Sequence, residues 1–271
     1  MITWNAFAYF VLPTVLLALA GAVCALRRPS TARSRAALWL TAAAMAVYAT
    51  FVAGLWLSLE RPPLRTLGET RLWYSLFMLA SGWWVYLRWG YRWILLFSLL
   101  VASVFMAINL LKPDLHDQSL MPALQSAWFV PHVTAYMFSY SVFGCAFLLA
   151  IGCLSKGNDR LLHSADELVR IGLFFLTFGM LSGCVWAKQA WGNYWSWDPK
   201  ETWAAATWCA YLMYVHLRLG SSRVAASRLT ARGRWACIWL IAAFVLLQMC
   251  WYGVNFLPGA ADSMHSYAVE S

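Results

Sequence analysis

Long runs with few or no charged residues are the feature that most limits how this chain can fold. Eight such runs recur along the 271 residues. Each is near the roughly 20 residues that a helix needs to cross a hydrocarbon core of about 30 Å. Inside a bilayer the backbone polar groups of such a run must bond to one another, which favours helices. We therefore predict an all-α integral membrane protein with about eight transmembrane helices, near residues 5–26, 37–57, 71–89, 92–111, 131–154, 168–188, 200–219 and 235–254.

The composition agrees with a membrane location and argues against a soluble domain. Apolar residues make up 62% of the chain and charged residues only 11%, whereas about 25% of the residues in an ordinary soluble domain are charged. A soluble domain with so few charges could not cover its surface with polar groups. Because no separate soluble segment is visible between the runs, we predict a single membrane domain over residues 1–271.

The positive charges are distributed unevenly between the two sides of the predicted bundle. Fourteen of the twenty Lys and Arg residues fall in connections on one side, and the positive-inside rule assigns that side to the cytoplasm. Both termini are then expected to be extracytoplasmic. Since the basic residues lie at helix ends beside an anionic leaflet, no nucleic-acid partner is expected. The seven cysteines lie within predicted spans and form no Cys-x-x-Cys pair, so we expect packing roles for them.

A tryptophan-rich loop is predicted between the sixth and seventh runs, at residues 187–199. Six aromatic residues occur in the eighteen positions from 186 to 203. One interpretation is structural: aromatic residues anchor helix ends at the interface, and Asp198, Pro199 and Glu201 form a capping box that starts a helix. The other is a stacking surface for a large planar apolar ligand such as a porphyrin. The density of Trp191, Trp195 and Trp197 in one connection favours the ligand surface.

The histidines supply candidate ligands for haem iron, for which neutral imidazole is a usual axial ligand. His132, in the first turn of the fifth predicted helix, and His265, in the C-terminal tail, both fall on the side of the tryptophan-rich loop. Together they would suit a bis-histidine haem site. His116 lies in a polar loop, where we expect it to be solvated. His216 lies at the other end of the seventh run, where a functional role and simple snorkelling to the interface are both open.

The run from Trp191 to Trp203, WGNYWSWDPKETW, resembles the WWD signature of haem-handling proteins. Within it, YWSWDPKETW is similar to the CcsA branch of system II cytochrome c maturation, called ResC or CcsB in some bacteria. The eight-run layout and the order of Pro258, Gly259 and His265 in the tail also resemble that branch. The resemblance extends from about residue 60 to the C-terminus and is densest over 128–267.

The resemblance implies a site, a substrate and partners. His132 and His265 match the two external axial ligands of haem iron, and His216 matches a membrane-embedded histidine that shares a haem with a CcsB-type partner. The cofactor is haem b, handled as a substrate, and the other partner is apocytochrome c. The implied activity is that of a cytochrome c haem lyase, with its partner, in a bacterial inner membrane or a thylakoid-type membrane. The implied haem-binding loop, on the extracytoplasmic side, comprises Trp191, Tyr194, Trp195, Trp197 and Asp198.

Three other functions use the same sequence features. A haem carrier or exporter without lyase activity would need the same residues. A b-type electron-transfer subunit would hold haem permanently between histidines in the middle of its helices, a pattern that the positions of His132, His216 and His265 do not follow. A scaffold with anchoring tryptophans would tolerate His-to-Ala and Trp-to-Phe changes. We predict no residue that acts as a general acid or base, since thioether formation depends mostly on positioning.

Overall fold

The computed structural model describes residues 1–27, 33–113, 116, 126–219 and 229–257, and all regular elements in these ranges are helical. Short 3₁₀ turns at Trp4–Ala6 and Gly253–Phe256 flank the first and last of them. The α-helices are α1 (Phe7–Arg27), α2 (Arg35–Leu59), α3 (Leu67–Trp89), α4 (Arg92–Leu111), α5 (Phe129–Lys156), α6 (Asp159–Trp191), α7 (Pro199–Arg218) and α8 (Ala231–Trp251).

Six helices in the described ranges are long and apolar enough to cross a membrane. They are α1 (with its preceding 3₁₀ turn), α2, α4, α5, α6 and α8. The predicted all-α integral membrane protein is thereby confirmed. The less apolar helices are α3, which contains Glu69 and Arg71, and α7, which opens on Lys200 and Glu201. The count of eight spans and the extracytoplasmic placement of both termini stay predictions.

The chain divides into two compact units, Met1–Gln125 and Ser126–Ser271. In the first unit, α1 and α3 each pack against both α2 and α4. In the second unit, α5 and α7 each pack against both α6 and α8. Each unit is therefore a ring of four helices within the described residues. The single membrane domain that the sequence suggested stays a prediction.

A buried carboxylate organises the start of α3 in the first unit. Glu69 closes a capping box with Thr66, whose hydroxyl accepts from the Glu69 N–H at 3.1 Å. The Arg61 guanidinium donates to both Glu69 carboxylate oxygens at 2.9 Å, and the Arg65 backbone N–H donates at 2.7 Å. Such a bidentate, hydrogen-bonded pair is strong enough to offset the desolvation of a carboxylate that is 1% exposed.

His116 is packed against aromatic and backbone groups of the first unit, so the expectation of a solvated side chain was wrong. Its ring stacks on Trp4 with 3.7 Å between the centroids and 4° between the planes. A Cβ atom on Gly68 would lie only 2.8 Å from His116 Cδ2, so the glycine makes room for the ring. The local sequence around His116 is polar, but the contact depends on residues far away in the chain.

Residues 192–198 connect the end of α6 to the start of α7 in the second unit. At the end of α7 away from this connection, a buried ion pair joins α7 to α6. Arg218 donates to the Asp166 carboxylate from Nε at 2.9 Å and from Nη2 at 2.7 Å. The Tyr214 hydroxyl donates to the same carboxylate at 2.7 Å. The side chains of Arg218 and Asp166 are only 10% and 7% exposed. The pair therefore fixes how α7 lies on α6.

Replacing Asp166 with Asn should destabilise the protein, because it leaves the buried Arg218 guanidinium without its carboxylate. We expect a loss of about 3 kcal/mol in the free energy of unfolding. The measurement is the thermal unfolding midpoint of the detergent-purified protein. The matched control is Glu60→Gln, which changes an exposed carboxylate in the same way and should shift stability by less than about 0.5 kcal/mol. Equal midpoints for the two variants would contradict the role given to the ion pair.

Candidate functional site

The predicted tryptophan-rich loop begins as helix and is irregular only between residues 192 and 198. Helix α6 runs to Trp191 and ends where Gly192 adopts a left-handed conformation with φ +85°. The Gly192 N–H donates to the Lys188 carbonyl at 3.1 Å, and Lys188 Nζ donates back to the Gly192 carbonyl at 2.7 Å. Glycine is the residue that reaches this conformation without a steric penalty, so it sets the end of the helix.

Glu201 holds the connection from residue 192 to 198 onto the start of α7. Its Oε2 accepts from the backbone N–H groups of Ser196 at 2.7 Å and Asp198 at 3.3 Å. In return the Asp198 carboxylate accepts from the Glu201 N–H at 2.8 Å. The capping box predicted from the sequence is therefore confirmed, with Pro199 at the first helical position. Both carboxylates are 7% exposed.

The connection presents aromatic side chains outward. Tyr194 is 59% exposed and Trp197 is 69% exposed, and Trp197 meets Trp195 edge to face at 5.6 Å between the centroids. Trp197 takes a left-handed φ of +58°, which costs a non-glycine residue about 1 kcal/mol. The Thr202 hydroxyl donates to the Trp197 carbonyl at 3.2 Å and helps to hold this conformation. A planar ligand can stack on such a surface.

The indole nitrogen of Trp195 is a buried donor with no hydrogen-bond partner among the described residues. An indole N–H can only donate, and leaving a buried donor unpaired costs about 1–3 kcal/mol. An acceptor oxygen on a ligand stacked against the connection would remove that cost. The Trp195 indole thus combines an apolar face with a directed polar contact.

His132 lies on α5 and is oriented by α6. Its Nδ1 is 2.8 Å from the Gly179 carbonyl oxygen. Because a carbonyl oxygen can only accept, Nδ1 must carry the proton, and Nε2 is then the nitrogen with the lone pair. The ring stacks on Trp186 at 5.3 Å between the centroids and meets Tyr136 edge to face at 4.6 Å. Metal-binding histidines are commonly oriented in this way, with the second nitrogen donating to a carbonyl.

Gly183 makes the position of the His132 ring possible. A Cβ atom at residue 183 would lie 2.5 Å from His132 Nδ1 and 2.6 Å from its Cε1, distances that no real Cβ contact tolerates. One turn earlier, a Cβ at Gly179 would come no closer than 3.3 Å to Tyr136. The two glycines form a Gly-x-x-x-Gly pair, a spacing that lets membrane helices approach closely.

The structure brings some of the predicted residues together and separates others. Trp186 links His132 to Trp191, since its ring lies 4.7 Å from that of Trp191. Trp195 and Trp197 instead pair with each other. His265 lies outside the described residues, so its proposed pairing with His132 stays a prediction.

His216 lies at the far end of α7 from the connection. Fifteen residues after Glu201, it is about 22 Å away along the helix axis. Its side chain is exposed, and Nδ1 lies 2.8 Å from the Leu212 carbonyl oxygen. The same donor argument places the proton on Nδ1, so the lone-pair nitrogen of His216 is Nε2.

Two contributors to the site were missing from the residues predicted from the sequence. Trp186, 3% exposed, was within the aromatic-rich stretch but was not singled out, because stacking on His132 depends on how α5 meets α6. Gly183 carries no side chain that would mark it as part of a site. The Gly-x-x-x-Gly spacing was visible in the sequence, but it did not reveal that a histidine ring fills the space.

The comparisons with known proteins decide the family. The model of the family described as cytochrome C assembly protein matches residues 67–260, more than half of the chain. The chain belongs to this family. The match includes α3 to α8, and with them His132, His216 and the 192–198 connection.

Relatives in algae, plants and cyanobacteria are CcsA cytochrome c biogenesis proteins. That of Chlamydomonas reinhardtii is 36% identical over 181 residues, which are 62% of this chain and 48% of the relative. That of Prochlorococcus marinus is 37% identical over 191 residues, or 56% of this chain and 57% of the relative. That of Trachelium caeruleum is 32% identical over 194 residues, or 55% and 58%. The chain thus spans about half the length of these relatives. It is a CcsA-type member of the family.

Replacing Gly183 with Ala should impair cytochrome c maturation, because the new methyl group displaces the His132 ring. On the prediction that His132 ligates haem iron, we expect the yield of a reporter cytochrome c to fall by about tenfold, the loss typical when a metal ligand loses its orientation. The control is Gly179→Ala, which adds the same methyl group one turn away, 3.3 Å from Tyr136 Cδ1, so that the neighbouring ring has to move by only a few tenths of an ångström. This variant should keep at least half of the yield. The yield is measured by haem staining of the reporter, normalised to the amount of variant in the membrane. Equal losses in the two variants would contradict the role given to the His132 ring.

Proposed function

We propose that this chain is the haem-handling subunit of a cytochrome c synthetase. It holds haem b at the extracytoplasmic face so that the thiols of an apocytochrome c Cys-x-x-Cys-His segment can add to the vinyl groups. A CcsB-type partner completes the enzyme, and haem reaches the outer site after crossing the membrane. The observation that carries the proposal is the hydrogen bond from His132 Nδ1 to the Gly179 carbonyl at 2.8 Å.

That hydrogen bond favours the tautomer of His132 that an axial ligand needs, with the proton on Nδ1. Nε2 keeps the lone pair that iron needs, and the stack on Trp186 fixes the plane of the ring. His265 is the second axial ligand in the proposal. Two neutral histidines favour a low-spin haem whose iron is protected from other ligands.

The 192–198 connection supplies the surface for the macrocycle. Tyr194 and Trp197 expose their rings, and Trp195 adds a buried indole N–H that suits an acceptor oxygen such as that of a propionate. In this proposal Trp191 packs behind His132 through Trp186, so it supports the ligand rather than the macrocycle. These residues account for stacking, for one polar contact and for ligand orientation.

The proposed transfer of haem requires that α7 crosses the membrane. His216 and the connection lie at opposite ends of this helix, about 22 Å apart by helical rise. We propose that α3 and α7 both span the bilayer within their four-helix rings, which gives eight spans. Both termini and the connection then lie outside, and the Lys and Arg majority lies in the cytoplasm.

Attachment needs positioning more than acid or base catalysis. Each cysteine S–H adds across one vinyl C=C bond: the sulfur joins one carbon, the hydrogen the other, and no external electron donor or acceptor is consumed. By holding haem with its edge accessible, the site converts an encounter of several parties into a nearly unimolecular step. The apocytochrome histidine then replaces one of the two axial histidines of this chain, and the bond from iron to the other breaks before the product leaves.

Absorption spectra of purified protein test the haem sites. The full chain, alone and with its CcsB-type partner, is compared with His132→Ala, His265→Ala and His216→Ala. We expect a bis-histidine spectrum whose outer component is lost or altered in the first two variants, while His216→Ala removes the inner component. The control is His163→Ala, which changes a histidine near the opposite end of α6. Haem that is absent from the wild type, or indifferent to all three changes, would exclude the proposal.

Asp198 is expected to serve the site through the helix cap. Because Asn caps a helix about as well as Asp, Asp198→Asn should keep both haem binding and thermal stability. Asp198→Ala removes the acceptor for the Glu201 N–H and should cost about 1 kcal/mol of stability, together with much of the outer haem. The measurements are the unfolding midpoint and haem content. If Asp198→Asn loses haem at unchanged stability, the carboxylate instead acts on haem through its charge.

A haem carrier without lyase activity would use the same residues. The two functions are separated by expressing the chain and its partner with a reporter apocytochrome in cells that lack their own maturation system. Covalent haem on the reporter supports the synthetase. Haem bound to the chain without covalent product would favour the carrier.

A further inference from the structure

The exposed face of α7 differs from the exposed faces of its neighbours in the second unit. On α6 and α8 the exposed side chains within the spans are of the kind that faces lipid. On α6 they are Phe174, Phe178 and Leu181, and on α8 they are Trp235, Ile238, Trp239, Ala242 and Val245. Between residues 202 and 216 of α7, the exposed side chains are Thr202, Cys209, Met213 and His216. Leu, Ile, Val and Phe are missing from that set, and the exposed Leu217 follows only in the last turn of α7.

Three of those four side chains are of types that ligate haem iron. Imidazole, thioether and thiolate are the protein groups that most often bind haem axially. At 100° per residue, Cys209, Met213 and His216 fall within a sector of about 60° on one side of the helix. The opposite side, with Ala204, Thr207 and Tyr211, is buried in the unit. The exposed sector of α7 therefore presents one row of side chains that can ligate iron: Cys209, Met213 and His216.

The spacing along this line suits stepwise movement. Met213 lies about 4.5 Å from His216 along the axis, and Cys209 about 6 Å further towards the 192–198 connection. Between Cys209 and the start of α7, the same face of the helix is formed by small side chains. These are the half-buried Ala206 and Ala205, followed by the exposed Thr202. Small side chains there leave the helix surface flat enough for a macrocycle to lie against it.

We propose that haem moves from His216 to the outer site along the exposed face of α7, with Met213 as an intermediate axial ligand. This inference rests on the proposed function and specifies its route. In the step at Met213, the bond from iron to His216 Nε2 breaks and a bond from iron to the Met213 thioether sulfur forms. The thioether is neutral and has no proton to lose, so the exchange transfers neither a proton nor an electron. Haem then passes over Cys209 and the small residues to the connection.

The orientation of His216 supports this direction of movement. Its Nδ1–H donates to the Leu212 carbonyl one turn earlier on the same helix, so Nε2 is the nitrogen that binds iron. A ligand held on an exposed helix face can be approached from beside the helix, without opening the four-helix ring. A haem site inside the ring would instead require α7 to separate from Asp166, to which Arg218 and Tyr214 bind it.

The first test is Met213→Leu in the full chain with its partner. Leucine keeps the size and apolar character but removes the sulfur. The complex is loaded with dithionite-reduced haem b at the His216 site and unbound haem is removed. We expect that haem to be retained, while its transfer to the outer site slows by at least about fivefold. The matched control is Met180→Leu, the same change at a half-buried position of α6, which should transfer haem at the wild-type rate. A wild-type transfer rate in Met213→Leu overturns the proposal.

The second test uses Cys209 as a reporter in the wild-type complex. N-ethylmaleimide alkylation of Cys209, followed by peptide mass spectrometry, is compared between haem-free and haem-loaded protein. We expect haem to slow alkylation of the exposed Cys209 while the half-buried Cys24 of α1 reacts equally in both states. Equal alkylation of Cys209 with and without haem overturns the route. A wild-type complex that binds no haem would reject the proposed function itself, whereas these outcomes reject only the path.

Discussion

The close approach of α5 to α6 is the constraint on which the candidate site depends. It is possible because Gly179 and Gly183 carry no side chain on the face that meets α5. The space at Gly183 is filled by the ring of His132, whose Nδ1–H then reaches the Gly179 carbonyl. Packing between two membrane helices thereby fixes the tautomer of a histidine. The same approach brings Trp186 under the imidazole ring, and through it connects His132 with Trp191.

The two less apolar helices, α3 and α7, begin in the same way: a buried glutamate in the first turn bonds to backbone N–H groups at the helix start. Glu69 at the start of α3 and Glu201 at the start of α7 each accept two backbone N–H bonds from the preceding loop. A buried carboxylate in this position satisfies the donors that a helix start leaves unpaired, and it shapes the loop at the same time. At α7 the loop so shaped is the aromatic connection. The helix cap and the proposed ligand surface therefore belong to the same stretch of chain, so the structural and functional interpretations of this stretch are compatible.

The two faces of α7 divide the tasks of this helix. Its buried face, anchored by Tyr214 and Arg218 on Asp166, holds α7 within the four-helix ring. Between residues 202 and 216 its exposed face carries Thr202, Cys209, Met213 and His216, and the exposed aliphatic Leu217 follows only in the last turn. The modest apolarity of α7 follows from this composition. A helix with polar and sulfur-containing side chains on one side and a buried ion pair on the other cannot also be uniformly apolar.

The sequence by itself determined the class of this protein and the chemistry of its motif. Uncharged runs of spanning length require helices in lipid, and the spacing of Asp198, Pro199 and Glu201 specifies a helix start, because both depend only on residues close together in the chain. The family resemblance came from an equally local run, 191–203. His132 and His216 were also singled out from sequence, although their roles as haem ligands remain proposals.

Only the tertiary structure decided how these parts meet. The ring of His132 rests on a glycine 51 positions away, and His116 stacks on Trp4 from the opposite end of its unit. The pairing of Trp186 with Trp191 and of Trp195 with Trp197, and the exposure of Met213, likewise depend on which helix faces meet. Apolar periodicity does not determine those faces when nearly every residue of a helix is apolar. In a soluble protein the alternation of polar and apolar residues shows which helix face is buried. In a membrane protein that alternation is weak, so the contacts depend on how the side chains of neighbouring helices pack.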